Sequence, residues 1–160
     1  MKLYHGNLLV VDSPKILVPN RTLDYGKGFY TTTSFEQAQK WVQRKLDENH
    51  CQGYVNVYDW DEHIDSSLII LKFDIPNDKW VDFVMKNRTE VGFSHNYDVV
   101  WGPVANDKVY AAFALYEQAF IDKQALIKEL RAYHLIDQVL FHTEKSLSTL
   151  QFVESKEVRK

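Results

Sequence analysis

Apolar residues alternate with polar ones in short stretches of the chain and recur at helical spacing in others. The first strand is expected at Lys2–Gly6, and the aromatic, β-branched segment Phe29–Thr32 predicts the second. Ser34 and Gln37 have capping-box spacing, so we expect a helix to begin there. Further strands are predicted at Tyr54–Tyr58, Leu68–Phe73, Tyr97–Trp101, Gln138–Thr143 and Gln151–Val153.

The remaining helices are predicted from caps and from apolar periodicity. Asn77 and Asp122 each precede an amphipathic stretch and are expected to cap it. A third helix, rich in Ala, Phe and Tyr, is expected at Lys108–Gln118. Strands and helices do not alternate regularly, which favours an α+β domain over a doubly wound sheet. We expect one domain over residues 1–153 and a charged, frayed tail over residues 154–160.

Composition narrows the function classes only slightly. The chain has 160 residues, of which 45% are hydrophobic and 14% aromatic, as in a folded domain. The net charge of −3 lacks the basic surplus typical of nucleic-acid binding, although Lys86, Arg88 and Lys108 could still form a local basic patch.

Cysteine content and the N-terminal segment bear on location. Cys51 is the single cysteine, so an internal disulfide is impossible, as suits a reducing compartment. We see no signal peptide and no apolar run long enough to span a membrane. A cytoplasmic protein without a membrane partner is therefore expected.

The first candidate for chemistry is the pair His5-Gly6 at the end of the first strand. A lone histidine in this position is more often structural than catalytic. Gly6 raises its interest, because a glycine lets a ligand approach the backbone closely. A planar carboxamide could then bond to the Gly6 N–H and C=O while His5 bonds a ribose hydroxyl.

The second candidate is the turn Gly26-Lys27-Gly28-Phe29-Tyr30. The third glycine of a dinucleotide fingerprint is missing, and a strand follows where a helix should begin. Taken alone, the segment indicates a tight turn with an aromatic core residue behind it. The alternative is that the Tyr30 ring stacks on a cationic pyridinium.

The third candidate is Gln138, which opens the predicted strand Gln138–Thr143. In isolation, a glutamine at this position can simply satisfy backbone groups.

Taken together, the three segments resemble the ADP-ribosyltransferases, in particular the poly(ADP-ribose)-polymerase-like branch of His-Tyr-Glu type. Those proteins carry His in a Leu-His-Gly-Ser context, Tyr in Gly-Lys-Gly-Ile-Tyr-Phe, and Glu at the start of a late strand. This chain has Leu3-Tyr4-His5-Gly6-Asn7, Gly26-Lys27-Gly28-Phe29-Tyr30-Thr31 and Gln138-Val139-Leu140-Phe141 in the same order. It also resembles a small bacterial branch with a Gly-Lys-Gly-Phe-Tyr motif and a Gly-Pro-Val-Ala-Asn-Asp motif, here Gly102 to Asp107.

The resemblance implies a split, mainly antiparallel sheet with flanking helices, and NAD as a substrate. It implies that His5 fixes a ribose, Gly6 anchors the carboxamide, Tyr30 stacks the nicotinamide and Gln138 holds the nicotinamide ribose. The candidate cofactor-binding residues are His5, Gly6, Gly28, Tyr30, Thr31, Arg88 and Asp107. Arg88 could bind the pyrophosphate, or lie on the surface. Asp107 could supply a carboxylate, although a helix cap is the commoner role for Asn106-Asp107.

Gln138 departs from the family pattern, because an amide can bond a hydroxyl but cannot act as a general base. Chain elongation is therefore not expected, whereas mono-transfer stabilised by dipoles is. Arginine is disfavoured as acceptor, because Ile136 stands where arginine-modifying members have an acidic or amide residue.

The expected function is mono-ADP-ribosylation of a protein or nucleic-acid acceptor. Analogy with small bacterial proteins of this type suggests a toxin with a partner antitoxin or a phage-defence protein. The alternatives are an NAD glycohydrolase, a catalytically silent NAD-binding or interaction module, and chance turns in an unrelated α+β domain. No metal site is expected, because the histidines lack partners at ligand spacing.

Overall fold

The computed structural model describes residues 1–18, 23–103, 107–133 and 135–160, and for 107–109 only the backbone. Its strands are β1 (Lys2–Asn7), β2 (Phe29–Thr32), β3 (Gln52–Asp59), β4 (Ile70–Lys72), β5 (Val99–Pro103), β6 (Asp137–Phe141) and β7 (Gln151–Arg159). Its helices are α1 (Phe35–Gln43), α2 (Asp78–Thr89), α3 (Asp107–Glu117), α4 (Lys123–Arg131) and α5 (Glu144–Leu147).

The seven strands form one sheet in the order β4-β5-β6-β2-β1-β3-β7. Neighbours pair antiparallel except for β4 and β5, which are parallel. The α+β prediction is thus confirmed. Each predicted strand and helix has a counterpart in the structure, whereas the one-turn helix α5 was not predicted.

The sheet is weakly joined between β1 and β2. Their register consists of the single pair Tyr4↔Thr32. By contrast, β1 pairs with β3 along its whole length, and β2 pairs with β6 along its whole length. We call the line between β1 and β2 the seam.

Two hydrophobic clusters lie on opposite faces of the sheet. On one face, Val100 and Leu140 pack beneath α2, α3 and α4 through Trp80, Phe113 and Leu126. The other face carries Leu3, Phe29, Val139, Phe141 and Leu147. Neighbouring positions of β6 alternate between the clusters, as the pleat of a strand requires.

Helix α1 packs closely on β1 and β3, because glycines in both strands leave room for it. A Cβ at Gly6 would lie 2.5 Å from the Ala38 carbonyl oxygen and 2.9 Å from the Val42 side chain. A Cβ at Gly53 would lie 2.5 Å from the same valine. Ser34 caps the helix, as predicted, by accepting from the Gln37 N–H.

The expected frayed tail is wrong. Residues 154–159 continue β7 and pair with β3 as far as the pair Gln52↔Arg159. Val158 is buried against α1. The backbone pairing with β3 and this one apolar contact hold a segment whose charges suggested disorder.

Among the described residues, no helix combines the length and apolar character needed to cross a membrane.

Candidate functional site

The backbone edges of β1 and β2 face each other across the seam. The Met1 carbonyl accepts from the Trp60 N–H at 2.9 Å, so the odd positions of β1 are the ones that bond to β3. Because bonding direction alternates along an antiparallel pair, Tyr4 and Gly6 direct their N–H and C=O toward β2. The register with β2 includes Tyr4 but not Gly6.

The same alternation fixes the opposite edge. Thr33 donates to the Asp137 carbonyl at 3.1 Å, so the odd positions of β2 bond to β6. Tyr30 and Thr32 therefore direct their N–H and C=O toward β1. Thr32 pairs with Tyr4, whereas Tyr30 lies where the two strands have parted. The open part of the seam is thus bordered by the backbones of Gly6 and Tyr30.

His5 bridges this gap with its side chain. Its Nδ1 lies 2.7 Å from the Tyr30 carbonyl oxygen, and the Asn7 amide nitrogen lies 3.4 Å from Nε2. A carbonyl only accepts, so Nδ1 carries the hydrogen and Nε2 accepts from Asn7. Burial lowers the pKa of His5, which favours this neutral form.

The His5 ring and the Tyr30 ring lie on opposite faces of the sheet. The His5 ring contacts the Phe29 ring, with centroids 4.5 Å apart, in the cluster around Leu3. Tyr30 follows Phe29 in β2 and packs against the other cluster, beside its partner Leu140. The family resemblance implied that both residues contact NAD, but not that their side chains lie on opposite faces of the sheet.

The Tyr30 side chain is held by the glycine turn. Its hydroxyl donates to the Gly26 carbonyl at 2.6 Å, and burial raises the pKa of the phenol. Gly26 has φ +79°, a conformation that favours glycine, and a Cβ there would lie 2.6 Å from the Asn87 side-chain oxygen.

Gln138 lies on the Tyr30 face and is buried. It pairs with Thr32 on one side and with Gly102 on the other. Its side chain hydrogen-bonds to the Tyr25 hydroxyl, which also accepts from Trp80 Nε1 at 2.5 Å and donates to the Pro103 carbonyl at 2.6 Å. The amide is therefore part of a buried network that sequence patterns did not indicate.

Gly28 and Thr31, predicted along the cofactor, have structural partners. A Cβ at Gly28 would lie 2.9 Å from the Phe141 carbonyl oxygen, so the glycine allows the turn to approach the end of β6. The buried Thr31 hydroxyl donates to the Val139 carbonyl at 2.6 Å. Thr31 alternates to the His5 face of the sheet.

Arg88 is paired with two carboxylates. Its guanidinium is 3.3 Å from an Asp24 oxygen and 2.8 Å from a Glu117 oxygen. Burial raises the pKa of Asp24, and the Arg88 charge opposes that rise. A pyrophosphate at Arg88 would have to compete with two carboxylates. The Asp107 side chain and residues 104–106 lie outside the described part of the structure.

The structure adds a polar side chain near His5 that sequence analysis missed. Asn56 is fully buried and lies opposite His5 in the register of β1 and β3. Its Oδ1 accepts from the Val11 N–H at 2.9 Å, and its Nδ2 donates to the carbonyls of His5 and Leu9 at 3.3 Å. Asn56 thus holds the segment after β1 against the His5 face. Its position in an alternating strand was the only signal in the sequence.

Across the described ranges, no group of three or more His, Cys, Asp or Glu side chains is arranged to hold a metal ion.

Comparison with known proteins adds a family but no activity. The fold and the seam define a mixed α/β domain with a mostly antiparallel sheet. The model of the family described as "Protein of unknown function (DUF3990)" matches residues 1–152, and this chain belongs to that family. The comparisons found no matching curated protein and no matching solved structure.

Proposed function

We propose that this protein is an NAD-dependent mono-ADP-ribosyltransferase that acts on a macromolecular acceptor. The observation that carries the proposal is the open seam, where the backbone edges of Gly6 and Tyr30 face each other outside the strand register. A backbone edge of this kind offers a donor and an acceptor side by side.

The nicotinamide carboxamide matches such an edge, because it also carries one acceptor and an NH₂ donor on one planar group. In the proposal it takes the place of the missing strand partner at Gly6. The Tyr30 ring borders the same gap, on the face of the sheet opposite His5. The hydrogen bond from its hydroxyl to the Gly26 carbonyl keeps the ring in one orientation. Aromatic faces attract the cationic pyridinium of bound NAD.

Because His5 and Gln138 lie on opposite faces, NAD would have to pass through the seam to contact both. His5 would then bond the adenosine-side ribose in place of Asn7, and Gln138 would bond the nicotinamide ribose in place of Tyr25. The bond between the ribose anomeric carbon and nicotinamide breaks, and nicotinamide leaves with the electron pair. An acceptor nucleophile bonds to that carbon and loses its proton to solvent. Gln138 contributes a dipole, not a base.

A specific observation favours a second candidate, a catalytically silent NAD-binding or interaction module. The Gln138 amide is engaged by Tyr25, and Arg88 is neutralised by Asp24 and Glu117. This candidate predicts NAD binding without release of nicotinamide.

The decisive experiment measures nicotinamide release from labelled NAD in cell lysate. Tyr30→Leu removes the aromatic face, whereas the matched control Tyr30→Phe keeps it and loses only the bond to Gly26. We expect release and a labelled macromolecule with the wild type and Tyr30→Phe, and neither with Tyr30→Leu, although all three fold as judged by circular dichroism. Sensitivity of the label to protease or nuclease then gives the acceptor class.

The remaining outcomes assign the alternatives. Free ADP-ribose without a labelled macromolecule indicates an NAD glycohydrolase. NAD binding by calorimetry without nicotinamide release indicates the silent module. Absence of both overturns the proposal.

A further inference from the structure

The strand β7 forms one edge of the sheet, and no strand of the described part of the chain pairs with its outer side. The Lys160 N–H donates to the Cys51 carbonyl at 3.1 Å, opposite it in the register, so positions 154, 156 and 158 bond to β3. By alternation, Ser155, Glu157 and Arg159 direct their N–H and C=O away from the sheet.

This edge strand is longer than the strand at the opposite edge of the sheet, and most of its side chains are exposed. The other edge strand, β4, has three residues, whereas β7 has nine, and seven of the nine side chains are exposed. Long open edges are sites where another strand can add to a sheet. The family match ends at residue 152, so most of β7 extends beyond it.

The charges along β7 are self-complementary in one antiparallel arrangement. If a two-fold axis passes beside Ser155, Ser155 faces Ser155 of the partner subunit, and Glu154 faces Lys156 of the partner subunit on both sides of the axis. Ser155 also has the outward N–H and C=O that a hydrogen-bonded central pair requires. Glu154 and Lys156 already lie on the same face, with a side-chain separation of 3.4 Å within the strand.

Neighbouring registers oppose like charges. An axis at Glu157 or Glu154 sets two glutamates against each other, and an axis at Lys156 sets two lysines against each other. Like charges directly opposite across two strands destabilise their pairing. An axis at Val158 sets Lys156 against Lys160 of the partner subunit, and an axis at Val153 brings no opposite charges together. The charge order therefore selects Ser155.

We propose that a second copy of this chain adds to the sheet along β7, antiparallel and with the two-fold axis beside Ser155. A register shift between Val57 and Tyr58 makes Val153 an extra residue in β7, so the regular ladder is short. The interface is small, and the dimer is weak and depends on concentration. This inference is independent of the proposed enzyme activity.

Charge exchange across the axis tests the proposal. Sedimentation equilibrium is run from micromolar to millimolar protein, with a reducing agent to exclude a disulfide through the exposed Cys51. Glu154→Lys and Lys156→Glu each create like-charge pairs at two symmetric positions, and we expect each to weaken the dimer about tenfold. The double variant exchanges the charges and restores complementary pairs, so it should dimerise as the wild type does. Thermal unfolding checks that all variants fold equally.

Three outcomes overturn the inference. The first is a wild-type monomer at every concentration, which leaves the edge to a strand from a different protein. The second is a dimer that neither single variant weakens, which indicates another surface. The third is a double variant as weak as the single variants, which means that Glu154 does not face Lys156 of the partner subunit.

Discussion

The His5 imidazole donates from Nδ1 to the Tyr30 carbonyl at 2.7 Å, at the point where β1 and β2 cease to pair. The His5 side chain thus takes the place of a backbone N–H of β1 as the donor to the Tyr30 carbonyl. His5→Leu removes the donor and leaves a partly buried carbonyl unpaired, which we expect to lower the free energy of unfolding by about 2 kcal/mol. His5→Asn keeps a donor near the Nδ1 position and should cost less despite its smaller side chain. Chemical denaturation measures both, and a greater loss for Asn than for Leu contradicts the role of this bond.

Gly6→Ala tests the contact between β1 and α1. The added Cβ would lie 2.5 Å from a backbone oxygen that cannot rotate away, so we expect a loss of about 3 kcal/mol. Gly92→Ala is the control, since a Cβ there meets no other atom. Its expected cost of about 1 kcal/mol comes only from the backbone conformation at φ +79°, which residues other than glycine rarely adopt. Equal losses in thermal unfolding would mean that α1 moves to accommodate the methyl group.

Tyr25→Phe tests the buried network around Gln138. Removing the hydroxyl leaves Trp80 Nε1, the Pro103 carbonyl and the Gln138 amide each short of a partner, and we expect a loss of about 3 kcal/mol. In Tyr54→Phe, the lost hydroxyl accepts from the exposed Gln52 amide, which water can satisfy instead, so the denaturation midpoint of this variant should stay close to that of the wild type. A Tyr25 variant as stable as this control rules out the network as a source of stability.

Stability should fall on mild acidification because of His142. Burial, together with the charge of His95, whose ring centroid is 4.5 Å away, lowers its pKa from 6.5 to about 4. Below pH 6.5 the unfolded chain binds a proton that the folded chain does not, so the free energy of unfolding decreases from pH 6.5 to about 4. The partly buried His5 and His95 act in the same direction, because burial lowers the pKa of each, whereas Asp24, whose pKa is raised, opposes them.

His142→Gln isolates this contribution, because it removes the titrating group and keeps a donor for the Lys27 carbonyl. Its stability should depend on pH less steeply than that of the wild type, by about one proton in that interval. The exposed His63→Gln is the matched control, followed by denaturation at a series of pH values. Parallel curves for the wild type and His142→Gln would show that His142 does not titrate on unfolding.

Val158→Ala tests whether the end of β7 belongs to the folded domain. Val158 is 4% exposed and packs with Val42 and Val55, so we expect a loss of about 2 kcal/mol. Val153→Ala, at a position 45% exposed, should change stability by less than about 0.5 kcal/mol. Similar melting temperatures for the two variants would support a frayed end instead.

Sequence patterns predicted most of the fold, because strand alternation and helix caps are local. The caps at Ser34, Asn77 and Asp122 are all present. The end of β7 was missed because both faces of an edge strand can carry charges, here Lys156 on one face and Glu157 on the other, and because its pairing is made by the backbone. Helix α5 was missed because four residues show no helical period.

The candidate site was predicted only in part. The resemblance implied that His5, Gly6 and Tyr30 border one site, and the structure has β1 and β2 as neighbours in the sheet. Which face each ring occupies depends on register, which the sequence does not encode locally. Gly6 was attributed to a ligand alone, yet its contact with Ala38 in α1 requires glycine as well. The pairing of Gln138 with Tyr25 joins residues far apart in the chain and has no sequence signature.

The two parts of the sheet on either side of the seam cannot be separated as continuous fragments of the chain. The seam divides the sheet into β4-β5-β6-β2 and β1-β3-β7, and the polypeptide passes from one group to the other between β1 and β2, β2 and β3, β3 and β4, and β6 and β7. Neither group is continuous in sequence. No single proteolytic fragment can therefore contain one complete half without strands of the other, and the protein cannot be halved by cutting its gene at one position.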